Sequence, residues 1–378
     1  MKNNLIVPPA TIGIIGGGQL GRMMAEAAKP MGYNVIILDP QPNSPAGQVS
    51  DDQIIAEYDD VIALTKLAKR CDVLTYEFEN VDTDALKQVS DLVSVPQGTN
   101  LLKVTSDRLL EKEFIQRAGL PVTNFANVES IDDLPAAAAK IGYPAILKTR
   151  SGGYDGHGQW NIDNETQMQA VLHRLNGKID VPLILEKKLA FDQEISIMVT
   201  RDGNQEVKTW PIAQNTHQDH ILKTTVVNDE LSPKLVQAAH EYAGKIAHAL
   251  DLSGVLGIEM FVVGDEVYVN ELAPRPHNSG HYSIEGCNVS QFEGHIRSIT
   301  GLPIAPIEQL DDSIRMINLL GDQITQARND LVSHPEWHFH DYQKDQIKPK
   351  RKMGHITVLG AKNSTDLAEW ENTHHENI

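Results

Sequence analysis

Apolar and polar positions along this chain follow first one period and then several. Between residues 11 and 95, short β-branched runs predict strands at "TIGIIG", "YNVIILD", "DQIIAE", "DVLTYEFE" and "LVSVP". After the first of them, "QLGRMMAEAAKPM" sets Leu20, Met23, Met24, Ala27 and Met31 on one helical stripe. Strands alternating with helical patterns predict a doubly wound parallel sheet, with ligands expected beyond the C-terminal strand ends.

The pattern then changes. "DRLLEKEFIQRAGLPV" predicts a helix closed by Gly119 and Pro121. "PAILKTR" predicts a strand that runs into the glycine-rich "SGGYDGHGQW". "VPLILEKKL" and "QEISIMVTRDG" predict further strands, the second ending in a turn. Residues 233–250 carry an amphipathic helical pattern, and "GVLGIEMFVVGDEVYVNELAPR" predicts a hairpin about Gly264 and Asp265. From about residue 302 short strands and loops mix, with a basic "KPKRKMGH" and a polar tail after 362 expected to fray. There is no internal repeat and no low-complexity tract.

Length and composition narrow the function classes. The 378 residues suffice for two or three domains, and 41% hydrophobic with 22% charged residues is ordinary for a soluble globular protein. "MKNNLIVPPATIG" has no long apolar core or small-residue cleavage site, so no secretory signal is expected. No apolar run approaches the roughly 18 residues of a membrane span. Cys71 and Cys287 stand far apart with no C-x-x-C, which excludes a disulfide framework and favours a reducing cytoplasm. We read Cys287 as a small buried apolar residue. A net charge of −18 argues against a nucleic-acid polymer as partner. It leaves room for small phosphorylated ligands, because a few cations or a helix N-terminus can make one cleft positive.

Two stretches carry candidate phosphate chemistry. "TIGIIGGGQLGRMM" contains G-x-G-x-x-G as Gly16, Gly18 and Gly21, with Asp39 ending the next apolar run. Such a turn presents backbone N–H groups to any anion, so a dinucleotide is one reading among several. No later segment supplies a hydride-transfer site; a second phosphate apparatus follows instead. Lys148 ends an apolar strand, and Gly152, Gly153, Gly156 and Gly158 make a loop suited to cover a triphosphate. Glu186 and Glu194 could accept from an adenine amino group and ribose hydroxyls. Glu259 and Glu271 lie on opposite hairpin arms, able to converge on Mg²⁺. A two-residue turn would set Glu259 opposite Asn270, and one extra loop residue would set it opposite Glu271. Taken singly, Lys148 reads as a solvated strand end and the two glutamates as cross-strand surface residues. Their joint order is what argues for a site.

Lys148, the glycine-rich loop, the paired acids and "NELAPRPHNSGH" resemble the ATP-grasp superfamily. Within it, "GGGQLGRM", "YEFENV", "GGYDGHGQ", "NELAPRPHNSGH" and "RKMGHIT" closely resemble the 5-(carboxyamino)imidazole ribonucleotide synthase family, from about residue 11 to 360. The resemblance implies an α/β chain of three domains. These are an N-terminal doubly wound, Rossmann-like pre-ATP-grasp domain (1–104), an ATP-grasp domain (105–301) and a small C-terminal α+β domain (302–378). It implies a cytoplasmic, homodimeric carbon–nitrogen ligase of purine biosynthesis. Such an enzyme takes ATP, Mg²⁺, bicarbonate and 5-aminoimidazole ribonucleotide to ADP, phosphate and 5-carboxyaminoimidazole ribonucleotide.

The same resemblance implies the site residues. ATP is assigned to Arg108, Lys148 and the loop Gly153, Tyr154, Asp155, Gly156, His157, Gly158 and Gln159. It is also assigned to Glu186, Lys187, Lys188 and Leu189, then to Glu194, His217, Asn270 and Glu271. Glu259 and Glu271 are the implied magnesium ligands. Gln19 and Leu20 are set against the base or sugar of the aminoimidazole ribonucleotide. Glu77 is set to accept from ribose hydroxyls, or else to cap a helix. Asp39 becomes a ribose contact or simply a strand end. Tyr154 orients carboxyphosphate, while Asp155 orients the amine and takes its proton. Arg275, Asn278 and Ser279 complete an anion pocket. Lys344 and Arg351 are placed near the ribonucleotide phosphate and carboxyphosphate, the plainer reading being a solvated basic run. Two departures are visible: His157 stands where family loops carry Arg or Lys, and His220 where they carry Gly. None of His217 and His220 in "NTHQDHIL", "HFH" and "HH" joins a complete ligand set with zinc spacing. Three rival functions stand beside this reading. They are another ATP-grasp ligase (a formate-using purine transformylase or a biotin carboxylase), an NAD-dependent oxidoreductase, and a non-catalytic nucleotide sensor, which the intact acidic pair disfavours.

Overall fold

The computed structural model describes residues 5–79, 81–152, 158–175 and 181–374. The first apolar runs pair as a four-stranded, all-parallel sheet in the order Asp52–Ile54, Asn34–Leu38, Thr11–Ile15, Val73–Tyr76. Helices on both faces explain why these strands are apolar throughout rather than alternating. Helix Gln19–Ala28 buries Leu20, Met23 and Met24 against Ile12, Ile14 and Val35, while Leu64, Leu67, Leu86 and Val89 cover the other face. The predicted strand at "LVSVP" does not form. Only Ser94 meets the sheet, by a single bridge to Val73, since Pro96 has no N–H with which to extend the ladder. Successive connections leave strand Thr11–Ile15 in opposite directions, which opens a crevice between its C-terminal end and that of Val73–Tyr76.

A second sheet is antiparallel, in the order Phe125–Val128, Leu183–Lys187, Ala145–Thr149, Gln159–Ile162. Helices Leu134–Ile141 and Glu165–Arg174 cover it. The largest sheet has nine strands. From one edge it runs Glu266–Ala273, Leu256–Val263, Gln193–Arg201, Ala213–Gln218 and Ile221–Val227. It continues through Ile314–Leu320, Lys352–Leu359 and His338–Asp341, with Val207–Thr209 beside Gln193–Arg201. The strands after residue 302 thus extend the central sheet through the pairing of Thr224 with Ile317.

Helix Pro233–Ala249 lays Ala239, Ala243 and Ile246 on this sheet, and helix Gln291–Ile299 carries Phe292, Ile296 and Ile299 into the N-terminal core. As far as Thr373 the tail after 362 is helical, not frayed. Helix Ala361–Thr373 buries Leu367 and Trp370, whose indole N–H donates to Asp330 at 2.8 Å. Among the described residues no helix is long and apolar enough to cross a membrane.

Candidate active site

The glycine turn after the first strand is already filled by the protein itself. The Gly18 N–H donates to one Glu77 carboxylate oxygen and the Gly21 N–H to the other at 2.5 Å; Gly17 donates to Asp39 at 2.7 Å. The three glycines make room for this carboxylate. A Cβ at Gly16, whose φ is +106°, would fall 2.3 Å from Glu77 Cγ, and one at Gly18 would fall 2.7 Å from its Oε1. Burial and the Asp39 charge push the Glu77 carboxyl up, against the pull of the two glycine amides. Glu77 therefore caps helix Gln19–Ala28, with both oxygens committed to the turn. Asp39 likewise accepts from the Tyr58 hydroxyl and the Gln41 N–H. With the Gly16 N–H donating to the Leu38 carbonyl, the amides of all four glycines of the turn are taken by the protein itself.

On the nucleotide side, three cations converge on one carboxylate. Buried Glu186 accepts from Lys148 at 3.0 Å and faces Lys112 at 3.4 Å, with Arg108 close by. Burial opposes its ionisation, but the three cations outweigh that and hold Glu186 down to about 2. Lys148 is lowered by burial first and then by Arg108 and Lys112. The cluster has positive charge to spare, which suits phosphate oxygens. Gln159 pairs with Lys148 in the ladder, and Gly158 sits at a φ of +71°. Lys187 donates to the Tyr143 carbonyl at 2.7 Å, Lys188 faces Asp163 at 3.8 Å, and Leu189 is half-buried. Glu194 and His217 are bonded to each other on adjacent strands. Burial alone would lower His217, but Glu194 and Glu259 more than offset it, and the imidazole is raised. Gly153, Tyr154, Asp155, Gly156 and His157 lie outside the described residues.

The hairpin resolves the register question by a route the sequence did not offer. Its turn is the two-residue Gly264–Asp265, with Val263 paired to Glu266, yet Glu259 stands opposite Glu271. A β-bulge supplies the missing residue: Met260 pairs with Val269, Glu259 with Glu271, and Asn270 is extra. Burial and then the Glu271 charge raise the Glu259 carboxyl. Glu271 is held low by Arg108, which donates to it at 3.2 Å, with Lys148 and Arg275 assisting against burial.

Three adjoining hollows connect this cluster to the glycine turn. The first is walled by Arg108, Arg150, Glu271 and Glu79. The second, about 260 Å³, is walled by Glu79, Arg275, Asn278, Gln19, Leu20 and Glu77. The third, about 300 Å³, is walled by Gln19, Glu77, Asp39, Tyr58, Lys344 and Arg351. Arg275 is bonded to Glu79 at 2.9 Å, and Asn278 is buried with neither amide atom partnered among the described residues. Lys344 donates to the Lys352 carbonyl at 2.7 Å, and Arg351 to the Gln346 carbonyl at 2.9 Å. Ser279 faces the interior, fully buried and bonded to Ser196 and His277.

Three family models match in chain order. They are the ribonucleotide synthetase preATP-grasp domain over residues 9–106, the ATP-grasp domain over 113–292, and the phosphoribosylaminoimidazole carboxylase C-terminal domain over 315–369. The N5-carboxyaminoimidazole ribonucleotide synthase of Bacillus subtilis is 45% identical over 360 residues, covering 95% of this chain and 94% of its own. The chain belongs to the N5-carboxyaminoimidazole ribonucleotide synthase family. Solved structures of that family share its fold. The Staphylococcus aureus N5-carboxyaminoimidazole synthetase complexed with ADP superposes with a TM-score of 0.92 at 42% identity, covering 98% of this chain and 99% of that one. The Aspergillus clavatus synthase in complex with ADP and 5-aminoimidazole ribonucleotide gives 0.88 at 33% identity, covering 99% and 100%.

Membership in the synthase family agrees with what the glycine turn shows, and it removes the oxidoreductase reading. The dinucleotide fingerprint is spent on Glu77 and Asp39. Four polar residues of this synthase-family site escape a reading of the sequence alone: Glu79, Glu111, Lys112 and Arg150. Arg150 clamps Asp107, the N-cap of helix Arg108–Arg117, through Nε at 3.1 Å and Nη2 at 2.5 Å. Glu111 is buried and accepts from the Leu272 N–H at 2.6 Å; burial and Glu271 push it up to about 8. The only signal for Glu111 and Lys112 was their spacing from Arg108 on one helical face, which reads equally as a solvated charged stripe.

Proposed function

We propose that this chain carboxylates 5-aminoimidazole ribonucleotide, using ATP and bicarbonate and releasing ADP, phosphate and 5-carboxyaminoimidazole ribonucleotide, a step of purine biosynthesis. The observation that carries this reading is the shared walls. Glu79 lines both the nucleotide hollow and the middle one, and Gln19 with Glu77 lines both the middle and the glycine-turn hollow. The three hollows therefore adjoin, the first only about 30 Å³, so a nucleotide bound at the Arg108–Glu271 side and a ribonucleotide bound toward the glycine turn would be neighbours.

Bicarbonate is a poor electrophile because negative charge shields its carbon. Transfer of the γ-phosphoryl group to a bicarbonate oxygen gives carboxyphosphate, which has a competent leaving group. Gathering that many anionic oxygens requires fixed positive charge in a dry cleft. Lys148 and Arg108 offer it to the nucleotide, and Arg275, on the wall of the middle hollow, offers it to the transferred group. Asn278, with a donor and an acceptor unspent, can orient the acceptor base or carboxylate. Lys344 and Arg351 are suited to the ribonucleotide phosphate at the far end. Tyr154 and Asp155 are assigned to carboxyphosphate and to the amine, Asp155 taking the proton lost as the carbamate forms. Glu194 and His217 are assigned to the nucleotide ribose.

Glu259 and Glu271 fit Mg²⁺, since two partly exposed carboxylates stand opposite one another in the ladder and crowd their charge, within reach of a cation from the cleft. When bound, Mg²⁺ would neutralise phosphate oxygens during phosphoryl transfer. The same reading places the enzyme in the cytoplasm as a homodimer, with divisions at 104/105 and 301/302. The direct test is ADP release measured with bicarbonate and aminoimidazole ribonucleotide, omitting each in turn. Full release requires both; ADP formation indifferent to the ribonucleotide contradicts the proposal.

A further inference from the structure

The bulge that brings Glu271 opposite Glu259 is gripped, residue by residue, from one helix. Arg108, Glu111 and Lys112 stand at i, i+3 and i+4 on helix Arg108–Arg117, hence on a single face. Lys112 Nζ donates to the Asn270 carbonyl at 3.2 Å. Arg108 donates to the Glu271 carboxylate at 3.2 Å. The Leu272 N–H donates to Glu111 at 2.6 Å. Three consecutive strand residues, 270, 271 and 272, thus meet three side chains of one helical face, just where the ladder slips by one residue. Lys112 also reaches Glu186, the carboxylate that holds Lys148.

Such a grip is an odd way to fasten a helix to a hairpin if stability is its purpose. Glu111 and Lys112 are 2% and 1% exposed. Buried charges carry a desolvation cost, and well-packed apolar side chains of like volume often stabilise a fold as well or better. What apolar side chains cannot do is hold a carbonyl and an N–H of a bulge in place. A straightened ladder would pair Glu259 with Asn270 and turn Glu271 to the opposite face.

We propose that Glu111 and Lys112 are positioning residues that lock the bulge and so set the register of the carboxylate pair for its divalent cation. Lys112 further couples that register to the Lys148–Glu186 phosphate contact, so cation and triphosphate sites are set by one helix. This rests on the reading that Glu259 and Glu271 hold Mg²⁺.

The test titrates Mn²⁺ into the full chain with a non-hydrolysable ATP analogue, followed by electron paramagnetic resonance, alongside thermal unfolding of each variant. Glu111→Leu and Lys112→Met should weaken Mn²⁺ binding by about 10- to 100-fold, the range for outer-shell partners of a metal site. Their unfolding temperatures should stay level or rise. Glu111→Gln and Lys112→Arg, which keep an acceptor and a donor, should restore most of the affinity and report on the locked bulge should an apolar variant fail to fold. Unchanged Mn²⁺ binding in Glu111→Leu and Lys112→Met, or equal losses in the conservative pair, would overturn the assignment. Glu271→Gln separates the two readings: if it too binds Mn²⁺ normally, the cation site itself is misplaced; if it alone loses the cation, only the helix grip is refuted.

Discussion

His295 has no exposed surface and its bonding fixes its tautomer. The Val255 N–H donates to its Nδ1 at 3.0 Å, so Nε2 carries the proton and faces the Thr75 hydroxyl at 2.7 Å, which in turn donates to Gln97. Burial pushes its pKa down to about 3. The folded state thus refuses a proton that the unfolded chain accepts below about 6.5, and stability must fall as pH falls through that window. The loss amounts to about 1.4 kcal/mol per pH unit from this one ring. Urea unfolding of His295→Asn at pH 5 and pH 7 should show a pH dependence shallower by about that amount per unit; an unaltered slope would mean that His295 is protonated in the native state. Residue chemistry of this kind was only partly visible beforehand. Lys148 and Glu271 could be named because strand ends and hairpin arms expose them to a ligand. Lys112 and Glu111 could not, because "RLLEKEF" has the same pattern whether its charges meet water or a bulged strand.

At the scale of elements, patterning found the strands and helices but missed where local geometry breaks a period. "LVSVP" has strand composition and makes one bridge. The hairpin was correctly placed at Gly264–Asp265, but its register depends on a bulge, and nothing in "EVYVNELA" marks Asn270 as the extra residue. The C-terminal helix was hidden by its polarity: Leu367 and Trp370, three residues apart, are its anchors. Trp370→Ala should therefore cost about 3–5 kcal/mol in urea unfolding, the usual range for a buried tryptophan; a change near zero would restore the frayed tail. The loop between strands His338–Asp341 and Lys352–Leu359 brings Lys344 and Arg351 to the glycine turn. Lys344→Ala and Arg351→Ala should raise the KM for the ribonucleotide at least tenfold while leaving that for ATP within about twofold, as expected for losing a charge-assisted bond. Equal effects on both would remove the pair from the ribonucleotide end.

Across the whole molecule, one sheet carries both halves of the chemistry. Its edge hairpin bears Glu259 and Glu271, and its far strands bear the loop with Lys344 and Arg351. The parallel N-terminal sheet closes the crevice from the side, its glycine turn stiffened by Glu77 and Asp39 instead of left open to a dinucleotide. An overall charge of −18 coexists with a cleft in which four cations, Arg108, Lys112, Lys148 and Arg275, are gathered. The central claim is that bicarbonate takes the γ-phosphoryl group in the same space where the amine is held. Single-turnover reaction with ¹⁸O-labelled bicarbonate, read by ³¹P nuclear magnetic resonance, tests it directly. The account predicts ¹⁸O in the released phosphate and as much carbamate as ADP; unlabelled phosphate, or ADP formed well in excess of carbamate, would contradict it.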